Sequence, residues 1–112
     1  MTDCRVIISD EALADLQLQS SWYAESAGSD IAERYLKSFD ETLAAVAKRP
    51  DLGRPRHFEH EMLSGLRSFA MAGAFHTHLV FYHYESDLLR IFRVMRGMRD
   101  LPRRLLEAPG AE

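Results

Sequence analysis

Residues 10–49 read as two helices broken at one glycine, and this pattern restricts the fold more than any other stretch. Ser9 and Asp10 supply an N-cap signal, and Glu11 sits where the positive end of a helix dipole favours a carboxylate. Ala12, Leu13, Leu16, Gln19, Ser20 and Tyr23 recur at helical spacing as a weak stripe up to about Ala27, with Leu18 and Trp22 as a second apolar ridge beside it. Gly28 ends the first helix. Ser29 or Asp30 starts the second, with Asp30 and Glu33 in capping-box positions. Here the stripe is strong, because Ala32, Tyr35, Leu36, Phe39, Leu43, Val46 and Ala47 share one face. Pro50 stops it, since the residue before a proline disfavours the α region. Two helices across so short a turn fold back as an antiparallel hairpin, whose stripe needs a surface to bury against.

That surface is a sheet. Arg5-Val-Ile-Ile-Ser9 is a β-branched run ahead of the hairpin, and Leu63–Ala70, Phe75–Tyr84 and Leu88–Met95 are strand candidates behind it. The stretches MAGA (71–74) and ESD (85–87) are turns, and Pro50 to about Met62 is a loop. The order β-α-α-β-β-β predicts an α+β fold, a mainly antiparallel sheet with the N-terminal helix hairpin on one face. Residues 1–107 are expected as a single domain and 108–112 as a frayed C-terminal tail. In the strand 75–84, Leu79 and Phe81 point one way while Val80, Tyr82 and Tyr84 point the other. Both faces are apolar, yet two helices cover only one and Leu101–Leu106 adds little. A partner is therefore expected on the open face, against Val80, Tyr82 and Tyr84.

With 112 residues the chain supports one modest core. Its net charge of −3 argues against a nucleic-acid coat protein, and no direct sequence-specific DNA binding is expected. Cys4 is the single cysteine, which excludes an intrachain disulfide and fits a reducing compartment. The N-terminal residues carry acids early and do not read as a signal peptide, and no run approaches membrane-spanning length. A cytoplasmic protein with no membrane contact is expected.

Charge is unevenly spread. From Leu88 to Arg104 the only acid is Asp100, against Arg90, Arg93, Arg96, Arg99, Arg103 and Arg104. A guanidinium cannot shed its charge, so a strand running from apolar residues into arginines delivers them to an anion or to a partner's carboxylates. Arg54, Arg56, Arg67, Arg93, Arg96 and Arg99 are expected to line one groove that takes a phosphodiester or acidic side chains. His76 and His78 share a strand face, with His57 and His60 nearby in sequence, but they have no thiol support. They read as ordinary half-exposed histidines, with no metal and no cofactor expected. Ser64 and Ser68 flank Arg67 without a nucleophile elbow.

The motifs Ala12-x-x-Asp15-Leu16 with Trp22-Tyr23, Pro50-x-x-Gly53-Arg54, Leu66-Arg67-Ser68, His78-Leu79-Val80-Phe81-Tyr82 and Arg93-Val94-x-Arg96-Gly97-x-Arg99-Asp100 follow in order. Together they resemble the RelE/ParE toxin superfamily over residues 5–100, nearly the whole chain. The resemblance implies the toxin of a bacterial type II toxin–antitoxin pair, neutralised by a ParD-like or other small DNA-binding antitoxin whose C-terminal segment wraps it. The antitoxin would cover Val80, Tyr82 and Tyr84. RelE-like members cleave messenger RNA in the ribosome, using lysines, arginines and a C-terminal tyrosine. This chain has no lysine after Lys48 and no tyrosine after Tyr84. A nuclease reading rests on His78 or His83 as base, with Arg67 and Arg99 stabilising the phosphorane. ParE-like members inhibit DNA gyrase by binding, and the motifs around Gly53, Arg67 and Gly97 look ParE-like. In that reading Arg67, Arg93, Arg96 and Arg99 contact the target, Arg96 standing where ParE-like sequences commonly carry histidine.

Overall fold

The computed structural model describes residues 4–97 and 101–110. Strand β1 (Arg5–Ile8) leads into helix α1 (Asp10–Ala27) and helix α2 (Ser29–Lys48). Strands β2 (Arg54–Pro55), β3 (Arg67–Ala70), β4 (His78–Glu85) and β5 (Leu88–Arg96) follow, and helix α3 (Leu101–Leu106) comes last. The strands form one sheet in the order β1-β5-β4-β3-β2. Only the β1–β5 pairing is parallel; the others are antiparallel. The expected α+β architecture is present. Among the described residues no helix is long and apolar enough to cross a membrane.

The helix hairpin forms where the sequence places it. Ser9 caps α1, its hydroxyl accepting the Ala12 N–H at 3.0 Å. Gly28 turns the chain alone, at φ +101°, a conformation that costs a residue with a Cβ dearly. So tight a turn starts α2 at Ser29, and the expected Asp30–Glu33 capping box does not form; α2 has no side-chain cap bond. Two expected strand starts also shift. Glu61–Leu63 and Gly73–Phe75 coil into single 3-10 turns, so β3 starts at Arg67 rather than Leu63 and β4 at His78 rather than Phe75. The loop after α2 contributes a two-residue edge strand, β2. Ser86 and Asp87 close the β4–β5 hairpin, both with the positive φ that a two-residue type I′ turn requires.

A bulge decides which side chains of β5 face which way. Phe81 pairs with Arg93, whereas Tyr82 pairs with Ile91, so Phe92 is an extra residue on β5. Leu89 and Ile91 before the bulge, and Val94 after it, therefore all face the helix hairpin. They pack there with Val80, Tyr82, Tyr35, Phe39 and Val46. The expected open face is thus the hairpin face: Val80 and Tyr82 are fully buried inside the chain, and only Tyr84, at the strand end, is exposed. Val80 and Tyr82 cannot contact an antitoxin in this fold. The other face is covered too, since Phe81 packs with Leu63, Leu66 and Leu105, with Phe58 and Leu101 beside them. The loop before β3 and the short helix α3 supply the cover that the sequence pattern did not promise.

Candidate functional site

The arginine-bearing end of β5 is built around Arg93, which is 3% exposed. Strand β1 pairs with residues 88–91 of β5 only, and α1 finishes that edge. Ser9 donates its backbone N–H to Ile91 O and its hydroxyl to Phe92 O, and the Asp15 carboxylate accepts the Val94 N–H at 3.0 Å. The same carboxylate takes a bidentate pair from Arg93, Nε at 2.7 Å and Nη2 at 2.8 Å. Nη1 of Arg93 donates to the carbonyls of Arg104, Leu105 and Glu107 at the C-terminal end of α3. One guanidinium therefore ties α1, β5 and the C-terminal segment together. Arg93 was expected to contact a target; its donors are spent inside the fold and it has no surface to offer.

His78 is also sealed, at 1% exposed. Its Nε2 lies 2.8 Å from the Tyr23 hydroxyl, and the rings of Tyr23, Tyr35 and Phe75 surround it. Burial, with Arg96 adding to it, pushes its pKa down to about 4, so the ring is neutral at pH 7. The Tyr35 hydroxyl beside it has no hydrogen-bond partner, and burial, then Asp15 and Tyr23, hold that phenol well above its ordinary range. His78 was expected as a nuclease base; packed in aromatic rings, it cannot reach a substrate. His76 sits in the turn before β4, its Nδ1 donating to Gly73 O, so the two histidines do not share a strand face. His83 points to the opposite sheet face from His78, half-buried beside Phe92, with burial as the main cause of its lowered pKa. Among the described residues no group of three His, Cys, Asp or Glu side chains could hold a metal ion.

Arg67 lies four residues of strand from His78, roughly 13 Å away at strand spacing, being paired with Tyr82. Its Nη1 donates to Gly53 O at 2.7 Å and to Asp51 O at 3.3 Å. The Tyr82 hydroxyl completes that turn, donating to Pro50 O and accepting the Gly53 N–H, both at 2.7 Å. A side chain on Gly53 would collide with the Tyr82 ring. The Pro50-x-x-Gly53-Arg54 motif is thus a turn clamped onto the sheet, and Arg67 is half-buried as part of the clamp. The expected arginine groove is not assembled from Arg54, Arg56, Arg67 and β5. Arg56 donates to Ser68 Oγ and lies over Phe81, on the far side of the sheet order from β5's outer edge. Arg99 lies outside the described residues.

Of the arginines expected to contact a target, Arg96 is the one that is exposed among the described residues. It lines a groove of about 530 Å³. One wall is α1, with Leu18, Gln19 and Trp22; the other is the C-terminal segment, with Arg104, Glu107, Ala108 and Gly110; Val94 and Met95 form the floor. Residues 108–110 therefore lie against α1, Gly110 close to Leu18. Asp15 and Tyr23 stand in the family motifs and Arg104 in the arginine run, but the sequence reading assigns none of the three a role at the site. A signal existed for Asp15: it lies at the margin of a helix stripe in a chain whose core strand carries an arginine, and a buried arginine requires an acid.

A family model described as ParE toxin of type II toxin-antitoxin system, parDE, matches residues 6–101. The fold is similar to a chain of the chromosomal ParDE TA system from P. aeruginosa, with TM-score 0.69 and 17% identity, covering 85% of this chain and 97% of that one. It is also similar to a chain of the toxin–antitoxin complex RelBE2 from Mycobacterium tuberculosis, with TM-score 0.56 and 19% identity, covering 86% of this chain and 100% of that one. No curated protein sequence matches the chain.

Proposed function

The chain belongs to the ParE toxin family of type II toxin–antitoxin systems, and from that premise we propose that it inhibits DNA gyrase by binding, with a cognate antitoxin as its neutralising partner. The observation that carries the binding reading over RNA cleavage is the burial of His78 in an aromatic shell with its Nε2 engaged. A general base must come within hydrogen-bond reach of the proton it removes, and this ring faces only other side chains. Of the two cations assigned to the phosphorane, Arg67 and Arg99, Arg67 is occupied by the carbonyls of a turn. The exposed contact surface is the end of β5, where Arg96 stands. Gyrase as target places the action in the cytoplasm.

Plasmid supercoiling by purified gyrase tests this reading. Adding the purified toxin is expected to block supercoiling or to leave linearised plasmid; normal supercoiling at a large molar excess would overturn it. Primer extension on translated messages after induction is expected to show no new cuts in the ribosomal A site. Cuts that disappear in His78→Asn would instead establish the nuclease.

A further inference from the structure

We propose that the outer sheet face beside the β4–β5 hairpin carries a second binding site, for a phosphorylated sugar such as a nucleoside monophosphate. Arg5 and Arg90 hold the phosphate, and Glu85 with Ser86 takes the sugar hydroxyls. The site is independent of the gyrase reading, because it lies at the other end of β5 from Arg96. Eight residues of strand lead from Leu88 to Arg96, about 26 Å at strand spacing.

The strand register assembles the site. Arg5 stands opposite Leu88 and Ile7 opposite Arg90 in the parallel β1–β5 pair. Across the antiparallel pair, Glu85 stands opposite Leu88 and His83 opposite Arg90. Residues paired in this way share a face, and it is the face away from Leu89 and Ile91, which pack on the helix hairpin. Arg5 and Arg90 are therefore diagonal neighbours, about 8 Å apart at strand spacing. Two guanidinia at that separation can close on one phosphate. They line a basin of about 310 Å³, with Leu88 between them and His83, Glu85 and Ser86 on the other side.

The charges of this basin are unpaired. Arg5, Arg90 and Glu85 are exposed, and among the described residues none of the three has an ion pair or a side-chain hydrogen bond. Arg56, Arg67 and Arg93, by contrast, all donate within the chain. His83 is neutral at pH 7, its pKa lowered chiefly by burial, so it adds a ring nitrogen rather than a third charge. The turn bears on the same site. Ser86 adopts φ +51°, where a type I′ turn favours asparagine, aspartate or glycine, so its side chain is kept at a conformational cost.

Two cations beside a carboxylate fit one phosphate carried on a hydroxylated body. Free phosphate is repelled by Glu85 and fills little of the basin, whereas sugar hydroxyls donate to that carboxylate. The half-buried Leu88 gives the sugar or base an apolar floor. A nucleic-acid backbone fits less well, because the exposed Glu85 and Asp87 repel a run of phosphates.

Backbone amide shifts in magnetic-resonance titrations of the full chain test the proposal, with AMP, adenosine, inorganic phosphate and a short DNA duplex as probes. AMP is expected to give saturable shifts at Arg5 and residues 85–90. Adenosine is expected to give none, and inorganic phosphate to bind about fivefold more weakly or worse. Arg5→Gln and Arg90→Gln are each expected to weaken AMP by about tenfold or more, and Lys37→Gln, on α2, by less than about twofold. Glu85→Gln separates the two halves of the site: AMP weakens, while inorganic phosphate binds as well or better because a repelling charge is gone. Ser86→Gly suits the positive φ, so it is expected to keep or raise the melting temperature while weakening AMP. That variant carries the test if an arginine variant does not fold. Absence of AMP shifts at these residues, or wild-type affinity in both arginine variants, would overturn the site. Inorganic phosphate binding as tightly as AMP would overturn the role of Glu85 and Ser86. A DNA duplex binding more tightly than AMP would overturn the ligand class in favour of a nucleic-acid backbone.

Discussion

Arg93 and Arg96 stand three positions apart on β5, and the two sides of the strand end give them opposite roles. On the inner side, Asp15 from α1 and the carbonyls that end α3 converge on Arg93 and use every nitrogen of its guanidinium. On the outer side, Arg96 faces a groove whose two described acids, Asp15 and Glu107, are paired with Arg93 and Arg103. The inner region is a buried polar junction that fixes how α1, the sheet and the C-terminal segment meet. The outer region is a surface with unspent charge and bare apolar area. The chemistry of a residue type does not decide between fold and function; what matters is whether the neighbouring elements complete its bonds.

The sharpest way to break this contrast is to remove the two arginines separately. Arg93→Ala leaves the Asp15 carboxylate buried without its cation and frees the α3 carbonyls, so urea unfolding is expected to show a loss of about 3–5 kcal/mol. Arg96→Ala is expected to stay within about 0.5 kcal/mol of wild type. Equal losses would erase the distinction.

A second test probes the sealed side by pH. In the folded chain His78 stays neutral down to about pH 4, whereas in the unfolded chain it takes up a proton near pH 6.5. Between those values the unfolded state holds the extra proton, so stability falls as pH falls. The group alone contributes up to about 1.4 kcal/mol per pH unit and about 3 kcal/mol in all. Below about pH 4 its contribution no longer changes. His78→Asn, having no proton to take up, should be less stable at pH 7 but should show a shallower decline in urea midpoint between pH 6.5 and 4. Unchanged steepness would mean that His78 is not sealed.

Smaller effects belong to the clamps that hold the two regions in place. Tyr82→Phe removes the bonds to Gly53 N–H and Pro50 O and should cost about 1–3 kcal/mol, read as a shift in unfolding midpoint. Ser9→Ala removes the α1 cap and the bond to Phe92 O, for about 1 kcal/mol. Neither clamp lines the groove beside Arg96, so gyrase inhibition measured on the folded variants should not move.

The same contrast explains what was legible in the sequence. The helix hairpin could be read because α2 carries a one-sided stripe and Gly28 breaks it, both local signals. The family motifs could be read because they are mostly structural. Gly53 is required by the Tyr82 ring, Arg67 by the turn it clamps and Arg93 by Asp15, while Gly97 lies against the tip of the Leu79 side chain. That is why they identify the fold without identifying which arginines meet a partner. The bulge at Phe92 was not visible in the pattern, and it changes which face each residue of β5 occupies relative to Val80 and Tyr82. The pairing of Arg93 with Asp15 spans 78 positions, beyond any local periodicity. The exposed ridge of Leu18 and Trp22 was visible as a second stripe on α1, but its exposure depends on where the C-terminal segment lies.

The most direct measurement is a gyrase supercoiling titration with the wild-type toxin and its Arg96→Glu variant, both shown to be folded. The expected result is inhibition by the wild type, with Arg96→Glu needing about tenfold more protein for the same effect. Inhibition by the variant at the wild-type concentration would contradict the assignment of the outer side of β5 as the contact surface.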